Sequence, residues 1–180
     1  LLRLYRHYFR SEGYDSQAHR HARFKKGRQA LRQYFKVYKT KLGTPIYLEK
    51  SFRLNIAGVP LVGKIDRIDK VGQDYEIIDY KTGEGANKKD VDKDEQLSIY
   101  ALAAQKALHL QPKDLRLYFI ELNQKVSTAR TDTDIQDTLD RLEKRVADIK
   151  TSSFPATPGF PFPCNFCEYN TICPFAAKKR

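Results

Sequence analysis

The chain has 180 residues, of which 41% are hydrophobic; this is enough for one domain with a buried core and excludes wholesale disorder. Lysine and arginine number 33 against 22 aspartate and glutamate residues, and the net charge of +11 favours a polyanionic partner. No apolar run reaches the roughly 18 residues of a membrane span, so we expect no membrane partner. No signal peptide opens the chain. Its first residue is not methionine and no methionine occurs anywhere, so we interpret the chain as an internal fragment or as one trimmed at its front.

The first predicted helix runs from about Gln17 to Leu42, where apolar residues recur at helical spacing. The segment between Asp15 and Glu49 contains no acidic residue. Its cations either keep a helix face solvated or form a track for phosphates, whose neutralisation releases counterions. The candidate phosphate-binding residues are Arg20, Arg23, Lys25, Lys26, Arg28 and Arg32.

Three strands are predicted next, at Glu49–Ile56, Leu61–Asp69 and Tyr75–Lys81. Apolar and polar residues alternate in the first of them, and short turns separate all three, which is typical of an antiparallel meander. A polar loop that contains glycine follows from Thr82 to Asn87.

The next part of the chain predicts a helix, two strands and a helix, at about Asp94–Leu110, Leu115–Leu122, Val126–Ala129 and Asp132–Lys150. Asp92 with Glu95 is predicted as an acidic capping box for the first of these helices. The nearly continuous apolar run at Leu115–Leu122 indicates a strand buried on both faces. This order of elements predicts an α/β sandwich with a mixed sheet.

The last segment of the chain is rich in proline, which rules out long regular elements. All three cysteines, Cys164, Cys167 and Cys173, lie there. An odd number of clustered cysteines is a poor disulfide framework and favours a metal or cluster site in a reducing compartment, for which we expect the cytoplasm. Zinc is the competing interpretation, although the tail has no histidine to complete a zinc site. We therefore divide the chain into a core, 1–153, and a tail, 154–180.

Two carboxylates and a lysine are the most informative residues. Side chains alternate along a strand, so Asp79 and Lys81 share a face, and Asp66 lies on the strand that should pair with theirs. Two carboxylates that converge beside an ammonium suit Mg²⁺ or Mn²⁺ and phosphodiester hydrolysis, with the lysine orienting water or offsetting charge. Taken alone, Asp and Lys two apart on a strand are more often an exposed ion pair of little consequence.

Gln96 and Tyr100 lie four residues apart on the following helix and so share a face. That face can look back at the end of the sheet that bears Asp79. On this interpretation Gln96 supports the carboxylate site or contacts a DNA backbone. The alternative is a core tyrosine with an ordinary polar residue near a helix start.

Together, Gly63–Asp69, Ile77–Gly83 and Gln96–Tyr100 resemble motifs of the PD-(D/E)xK nucleases. Their RecB-like and AddB-like branch is the most similar, in particular the C-terminal nuclease domain of UvrD-like helicases. The resemblance covers roughly Gly43 to Cys173. It implies a restriction-endonuclease-like α/β core, with a mixed central sheet flanked by helices. It also implies a Mg²⁺-dependent deoxyribonuclease, an exonuclease rather than an endonuclease, that works in DNA repair or recombination with a helicase domain of the same parent chain.

The same resemblance implies roles for individual residues. It assigns metal binding to Asp66, Asp79 and the backbone carbonyl of Tyr80, and catalysis or its support to Lys81, Gln96 and Tyr100. Cys164, Cys167 and Cys173 match three ligands of the family's [4Fe–4S] cluster, which normally takes four thiolates. The family places its fourth cysteine near the front of the domain and a metal-binding histidine on an early helix, and we expect both before Leu1. The context of His19 and His21 does not match that histidine and suits surface or DNA-facing residues better.

Two alternatives to the nuclease stay open. One is a non-catalytic DNA-binding module, and the other is a structural module of a DNA-repair helicase. The presence of Asp66, Asp79 and Lys81 together favours the enzyme, since loss of catalysis usually removes one of them. The chain has no phosphate-loop motif, so we assign it no ATP hydrolysis.

Overall fold

The computed structural model describes residues 1–39, 44–159 and 163–177. Its elements, in chain order, are α1 (Leu2–Tyr8), α2 (Gln17–Tyr38), β1 (Thr44–Ile56), β2 (Val59–Val71), β3 (Asp74–Lys81), α3 (Lys88–Asp92), α4 (Glu95–Leu108), β4 (Pro112–Phe119), β5 (Gln124–Thr128) and α5 (Asp132–Thr151), followed by a 3₁₀ turn (Cys164–Phe166). Among the described helices, none is long and apolar enough to cross a membrane.

The five strands form one mixed sheet in the order β1-β2-β3-β4-β5. The predicted antiparallel meander of β1, β2 and β3 is confirmed. β4 lies parallel to β3, and β5 returns antiparallel to β4. Parallel neighbours need a crossover connection, which α3 and α4 supply here. The predicted α/β architecture with a mixed sheet flanked by helices is therefore confirmed.

Two short helices were not predicted. α1 has seven residues, too few to show a helical period in the sequence. The ring of Tyr5 in α1 stacks on that of Phe24 in α2, with centroids 5.3 Å apart. Gly27 makes this approach possible, because a Cβ there would overlap the Tyr5 ring, at 2.7 Å from its Cζ. α3 is a single capped turn, in which the side chain of Asn87 accepts a hydrogen bond from the amide of Asp90.

The predicted cap of α4 was wrong. Asp94 is its N-cap, and its carboxylate accepts a hydrogen bond from the amide of Leu97 at 2.8 Å. Asp92 ends α3 instead, where its carboxylate pairs with Lys88 and accepts a hydrogen bond from Thr128 at 2.7 Å. The extra turn of helix moved the cap by two residues. The C-terminus of α2 lies at Tyr38, and its predicted end at Leu42 lies outside the described residues.

Helices α2 and α4 lie on opposite faces of the sheet. On one face, the hydroxyl of Tyr34 in α2 lies 3.0 Å from that of Tyr80 in β3. On the other face, Tyr100 of α4 contacts Phe52 of β1 edge-on, with ring centroids 6.2 Å apart, and also bonds to Asp79 of β3. Successive side chains of a strand alternate between faces. Asp79 and Tyr80 therefore lie under different helices.

Gly63 leaves room for a ring beneath α4. It pairs with Phe52 across β1 and β2, and a Cβ on it would lie 2.5 Å from Cζ of the Phe52 ring. Any side chain at this position would displace that ring, and with it the contact to Tyr100. The glycine thus sets the position of Tyr100 through one intervening residue.

The chain divides into two compact units, Leu1–Glu143 and Lys144–Arg180. The first holds the sheet and its core of apolar side chains, including the fully buried Ile65, Ile77, Leu97 and Leu115. The division falls within α5, earlier than the predicted boundary after residue 153. In the second unit most large apolar side chains are exposed, as Phe166 and Ile172 illustrate at 74% and 77%.

Candidate active site

Asp66 and Asp79 lie where β2 and β3 separate. The last pair of this ladder is Arg67 with Ile78, so the two aspartates are the next residues on their strands. Oδ2 of Asp66 accepts a hydrogen bond from the amide of Tyr80 at 2.9 Å, in the place where a strand carbonyl would otherwise serve. The two carboxylates therefore follow the last paired residues, where the β2–β3 ladder ends.

Asp79 is a buried carboxylate with an incomplete set of partners. Its side chain is 4% exposed, and Oδ1 accepts a hydrogen bond from the hydroxyl of Tyr100 at 3.3 Å. Oδ2 lies 2.7 Å from Nζ of Lys81. The ammonium is the ion-pair partner of Oδ2, and no other described group hydrogen-bonds to that oxygen. Buried polar atoms are rarely left in this state, so Oδ2 is a candidate ligand for a cation.

Lys81, Gln96, Tyr100 and Asp79 form a closed ring of polar contacts. Nζ of Lys81 donates to Oε1 of Gln96 at 2.5 Å, and Nε2 of Gln96 donates to the Tyr100 hydroxyl at 2.7 Å. That hydroxyl then donates to Asp79, which leaves the ammonium beside the carboxylate to close the ring. The ammonium fixes the orientation of the Gln96 amide, because only its oxygen can face a donor. Gln96 and Tyr100 thus contact Lys81 and Asp79 directly, and their role in a site stays a prediction.

The environment raises the pKa of Asp79 above its ordinary value. Burial is the largest cause, and the charge of Asp66 adds to it, whereas Lys81 and Tyr100 oppose it. Burial and the nearby carboxylates also raise the pKa of Tyr100 to about 12. The tyrosine is therefore a neutral hydrogen-bond donor at physiological pH. A carboxylate that burial disfavours and one lysine only partly compensates gains from a bound cation.

The donor set fits one hard divalent cation. Mg²⁺ is usually held by one or two carboxylates, with water and substrate phosphates as its other ligands. Asp66 and Asp79 supply two such carboxylates, and Oδ2 of Asp79 is free of hydrogen bonds. The described residues contain no group of three or more His, Cys, Asp or Glu side chains that could hold a metal by themselves. The role of the Tyr80 carbonyl stays a prediction.

A buried ion pair behind the site was missed from sequence. The guanidinium of Arg67 binds both carboxylate oxygens of Asp69, at 2.5 and 2.8 Å, and reaches the Tyr80 hydroxyl at 3.5 Å. Tyr80 in turn meets Tyr34 of α2. The signal was present, because strand alternation places Arg67 and Asp69 on the face opposite Asp66. This network secures the strand that carries Asp79 and Lys81 from the α2 side.

The predicted phosphate-binding residues differ in their surroundings. Arg23 and Lys26 both pair with the carboxylate of Glu121, at 2.6 Å each. Arg28 lies over the ring of Phe24, with 5.9 Å from its Cζ to the ring centroid. Glu121 is distant in sequence, so the acid-free segment gave no sign of it. Lys25 and Arg32 are exposed and Arg20 is half-buried, and these three form no ion pair with the described residues.

The two histidines of α2 lie apart from this constellation. His21 is exposed. His19 is also exposed, and its Nδ1 lies 3.2 Å from Asp15, on the first turn of the helix. These contacts agree with the interpretation of both as surface residues.

The cysteines are free thiols that share no described metal site. Cys164 is buried, and its sulfur accepts hydrogen bonds from the amides of Gly159 and Ala177, at 3.4 Å each. Cys167 is exposed and Cys173 is half-buried. The described residues do not bring three thiolates to one point, so they do not fit a cluster as they stand.

Replacing Asp79 with Asn should stabilise the metal-free protein. The folded-state pKa of Asp79 is raised, so its ionised form destabilises the fold at neutral pH. We expect a gain on the order of 1 kcal/mol at pH 7 and a rise in Tm of about 2–4 °C. The gain should vanish below the ordinary aspartate pKa of about 3.9, where the wild-type residue is protonated in both states. Thermal melting across pH, with exposed Asp74→Asn as the control, measures this; a lower Tm for Asp79→Asn at pH 7 would contradict it.

Comparison with known proteins identifies the family of the chain. The family model of the PD-(D/E)XK nuclease superfamily matches residues 1–174. A solved structure titled "Crystal structure of SSO0001" is 17% identical, with a TM-score of 0.43, over 83% of this chain and 68% of that one. No curated protein matches the sequence. With the family model spanning nearly its whole length, the chain belongs to the PD-(D/E)XK nuclease superfamily.

Proposed function

We propose that this chain is a metal-dependent deoxyribonuclease that hydrolyses phosphodiester bonds at the site formed by Asp66, Asp79 and Lys81. One observation carries the proposal. Asp79 is buried, its Oδ2 lacks a hydrogen bond, and an ammonium lies 2.7 Å away. Asp79 and the neighbouring Asp66 bring two carboxylates beside this one ammonium, and burial disfavours the charge of Asp79. A bound cation would offset the negative charge that remains.

Asp66 and Asp79 would hold Mg²⁺ or Mn²⁺, with the Tyr80 carbonyl as a further ligand. When bound, the metal polarises the phosphate and lowers the pKa of a water molecule. The chain's own residues hold the geometry around it. The amide of Tyr80 orients the Asp66 carboxylate, and the Tyr100 hydroxyl orients that of Asp79. Each aspartate therefore keeps a defined rotamer without the metal, which lowers the cost of assembling the site.

Lys81 supplies positive charge where a reacting phosphate would develop negative charge. Its side chain is 32% exposed, so it can reach a phosphate, and Gln96 holds its Nζ at 2.5 Å. A preorganised ammonium at a partly dry site stabilises the transition state more than a mobile one in water. The same ammonium can hydrogen-bond the attacking water. Gln96 acts through Lys81 and is a positioning residue.

The biological setting rests on motif resemblance. The order of Gly63–Asp69, Asp79-x-Lys81 and Gln96-x-x-x-Tyr100 supports a RecB-like and AddB-like nuclease module. We place it with a helicase domain of the same parent chain, in DNA repair or recombination. We favour an exonuclease over an endonuclease. The free thiols of all three cysteines suit a reducing compartment such as the cytoplasm.

Cleavage assays test the nuclease and its competitor, a non-catalytic DNA-binding module. We expect Asp79→Asn and Lys81→Met to lower cleavage at least about a hundredfold in Mg²⁺ or Mn²⁺, because the first weakens a metal ligand and the second removes the ammonium beside the reacting phosphate. DNA binding should persist, since most phosphate contacts lie elsewhere. Degradation of end-labelled strands, with closed circles beside them, also separates exonuclease from endonuclease.

The matched controls are Asp74→Asn and Lys113→Met. These residues pair with each other at 2.9 Å, at the start of β3 and in β4. Both controls should cut DNA like the wild type. Wild-type cleavage by Lys81→Met would reject the site. Binding without cleavage by the wild type would favour the non-catalytic module.

The basic face of α2 should contribute salt-dependent affinity. Lys25 and Arg32 are exposed and form no ion pair with described residues, so their charges are available to phosphates. Replacing both with Gln should reduce the slope of log K against log salt by about 1.4 on single strands, at about 0.7 per lost contact. Lys70→Gln with Lys113→Gln, at the β2–β3 turn and in β4, is the control pair. An unchanged slope for the α2 variant would mean that this face is only solvated.

The tail should not hold a complete cluster in this 180-residue chain. A [4Fe–4S] cluster normally takes four thiolates, whereas the chain has three cysteines. The described residues also do not bring the three together. We expect iron and sulfide well below one cluster per chain after anaerobic reconstitution, with little visible absorption. A stoichiometric cluster, lost in Cys164→Ser, would contradict this expectation.

A further inference from the structure

An aromatic cavity lies at the carboxyl ends of β3, which carries Asp79 and Lys81, and of β4. It has a volume of about 240 Å³ and is open to solvent. Tyr5 and Phe9, from α1 and its end, and Tyr14, from the loop before α2, line one side. Thr82 and Ile120, which follow β3 and β4, line another. No residue of the proposed catalytic site lines it.

The cavity is tied to the backbone of the catalytic strand. Thr82 directly follows Lys81, and the amide of Ile120 donates to the carbonyl of Lys81 at 3.0 Å. A wall of the cavity is thus bonded to the residue that carries the catalytic ammonium. Crevices outside the carboxyl ends of parallel strands are common ligand sites in α/β sheets. Gly27 and Leu31 of α2 also line the cavity, whereas Asp79 and Lys81 face α4, so a strand that reaches both must pass around the end of β3 at Thr82.

The three lining rings are held in place by one another and by α2. Phe9 stacks on Tyr14, at 15° between planes and 5.8 Å between centroids, and meets Phe24 edge-on at 4.8 Å. Tyr5 stacks on Phe24. All three lining rings are only half-buried, so part of their surface faces the cavity. Rings ordered before a ligand arrives lose little entropy on stacking.

The charges at the cavity select a neutral ligand. Arg23 and Glu121, which both line it, pair at 2.6 Å, and Lys26 also binds Glu121. Because Arg23 is already paired with Glu121, a phosphate would gain little from it. A flat neutral heterocycle can stack on the rings and hydrogen-bond to the ion pair by its edge. The volume is below the roughly 300–1,000 Å³ typical of drug-sized ligands, which suits a single ring system.

We infer that this cavity receives one unstacked nucleobase of the DNA strand whose phosphate is bound at Asp66, Asp79 and Lys81. The inference rests on the proposed nuclease function and names its substrate class, a single strand or a frayed end. A base within an intact duplex has both faces covered by its neighbours, so it cannot stack on Tyr14 or Phe9. Stacking on aromatic side chains accepts every base, which suits a nuclease without sequence preference.

An abasic-site scan tests the cavity without requiring cleavage. Single strands of about 12 nucleotides, each with one abasic site at a different position, are titrated in Ca²⁺ with fluorescence anisotropy as the readout. For the wild type, we expect one position at which loss of the base weakens binding about tenfold. Tyr14→Leu and Phe9→Leu, which keep apolar bulk but remove the ring, should weaken the intact strand similarly and abolish that position effect. Blunt duplex should bind more weakly than the single strand.

Two further variants control this experiment. Tyr8→Leu removes a ring from the same helix that is 73% exposed and does not line the cavity, and it should leave the scan unchanged. Tyr14→Phe should keep the position effect, because the ring remains. Thermal melting confirms that each variant is folded. Tyr14 lies outside the helices, so its variant answers the question even if Phe9→Leu unfolds α1.

The outcomes separate this inference from the proposed function. A flat scan for the wild type, or a position effect unchanged in Tyr14→Leu, overturns the base pocket even where Mn²⁺-dependent cleavage is normal. A position effect that Tyr14→Leu removes supports the pocket, whether or not the protein cleaves the intact strand. Absence of cleavage in that case rejects the nuclease alone.

Discussion

The site depends on the burial of one carboxylate. Asp79 lies beneath α4, where burial disfavours its charge and raises its pKa. Lys81 and Tyr100 offset this cost only in part, and Oδ2 stays without a hydrogen bond among the described residues. The ring of contacts through Gln96 exists because the strand places Asp79 and Lys81 two residues apart, on the face that α4 covers. A bound cation would offset the buried charge of Asp79. The same carboxylate would therefore favour metal binding and destabilise the metal-free fold.

Strand alternation lets one short segment serve two purposes. Asp79 and Lys81 face α4 and form the site. Tyr80, between them, faces α2 and joins Tyr34 and the Arg67–Asp69 ion pair. The catalytic strand is therefore held from both sides by polar contacts, and neither set competes with the other. Rigid placement of this kind matters because small displacements of reacting groups cost large factors in rate.

Much of this arrangement could be predicted because it follows short-range periodicity. Period two places Asp79 with Lys81, pairing of adjacent strands brings Asp66 to them, and period four places Gln96 with Tyr100. The mixed sheet followed from the order of elements. The capping of α4 was mispredicted because a single turn, α3, precedes it and takes Asp92 for itself. Such a short helix leaves no periodic signal, and α1 was missed for the same reason.

The features that could not be predicted join distant parts of the chain. Glu121, nearly one hundred positions away, pairs with both Arg23 and Lys26 and offsets one of their two charges, so the acid-free segment is less cationic in the fold than in the sequence. This pairing distinguishes the exposed cations of α2 from the paired ones. Lys25 and Arg32 stay exposed and form no ion pair with described residues, whereas Arg23, held to Glu121, lines a largely aromatic cavity with Tyr5 and Phe9. A basic helix that looks uniform in sequence thus presents two chemically different surfaces in the fold.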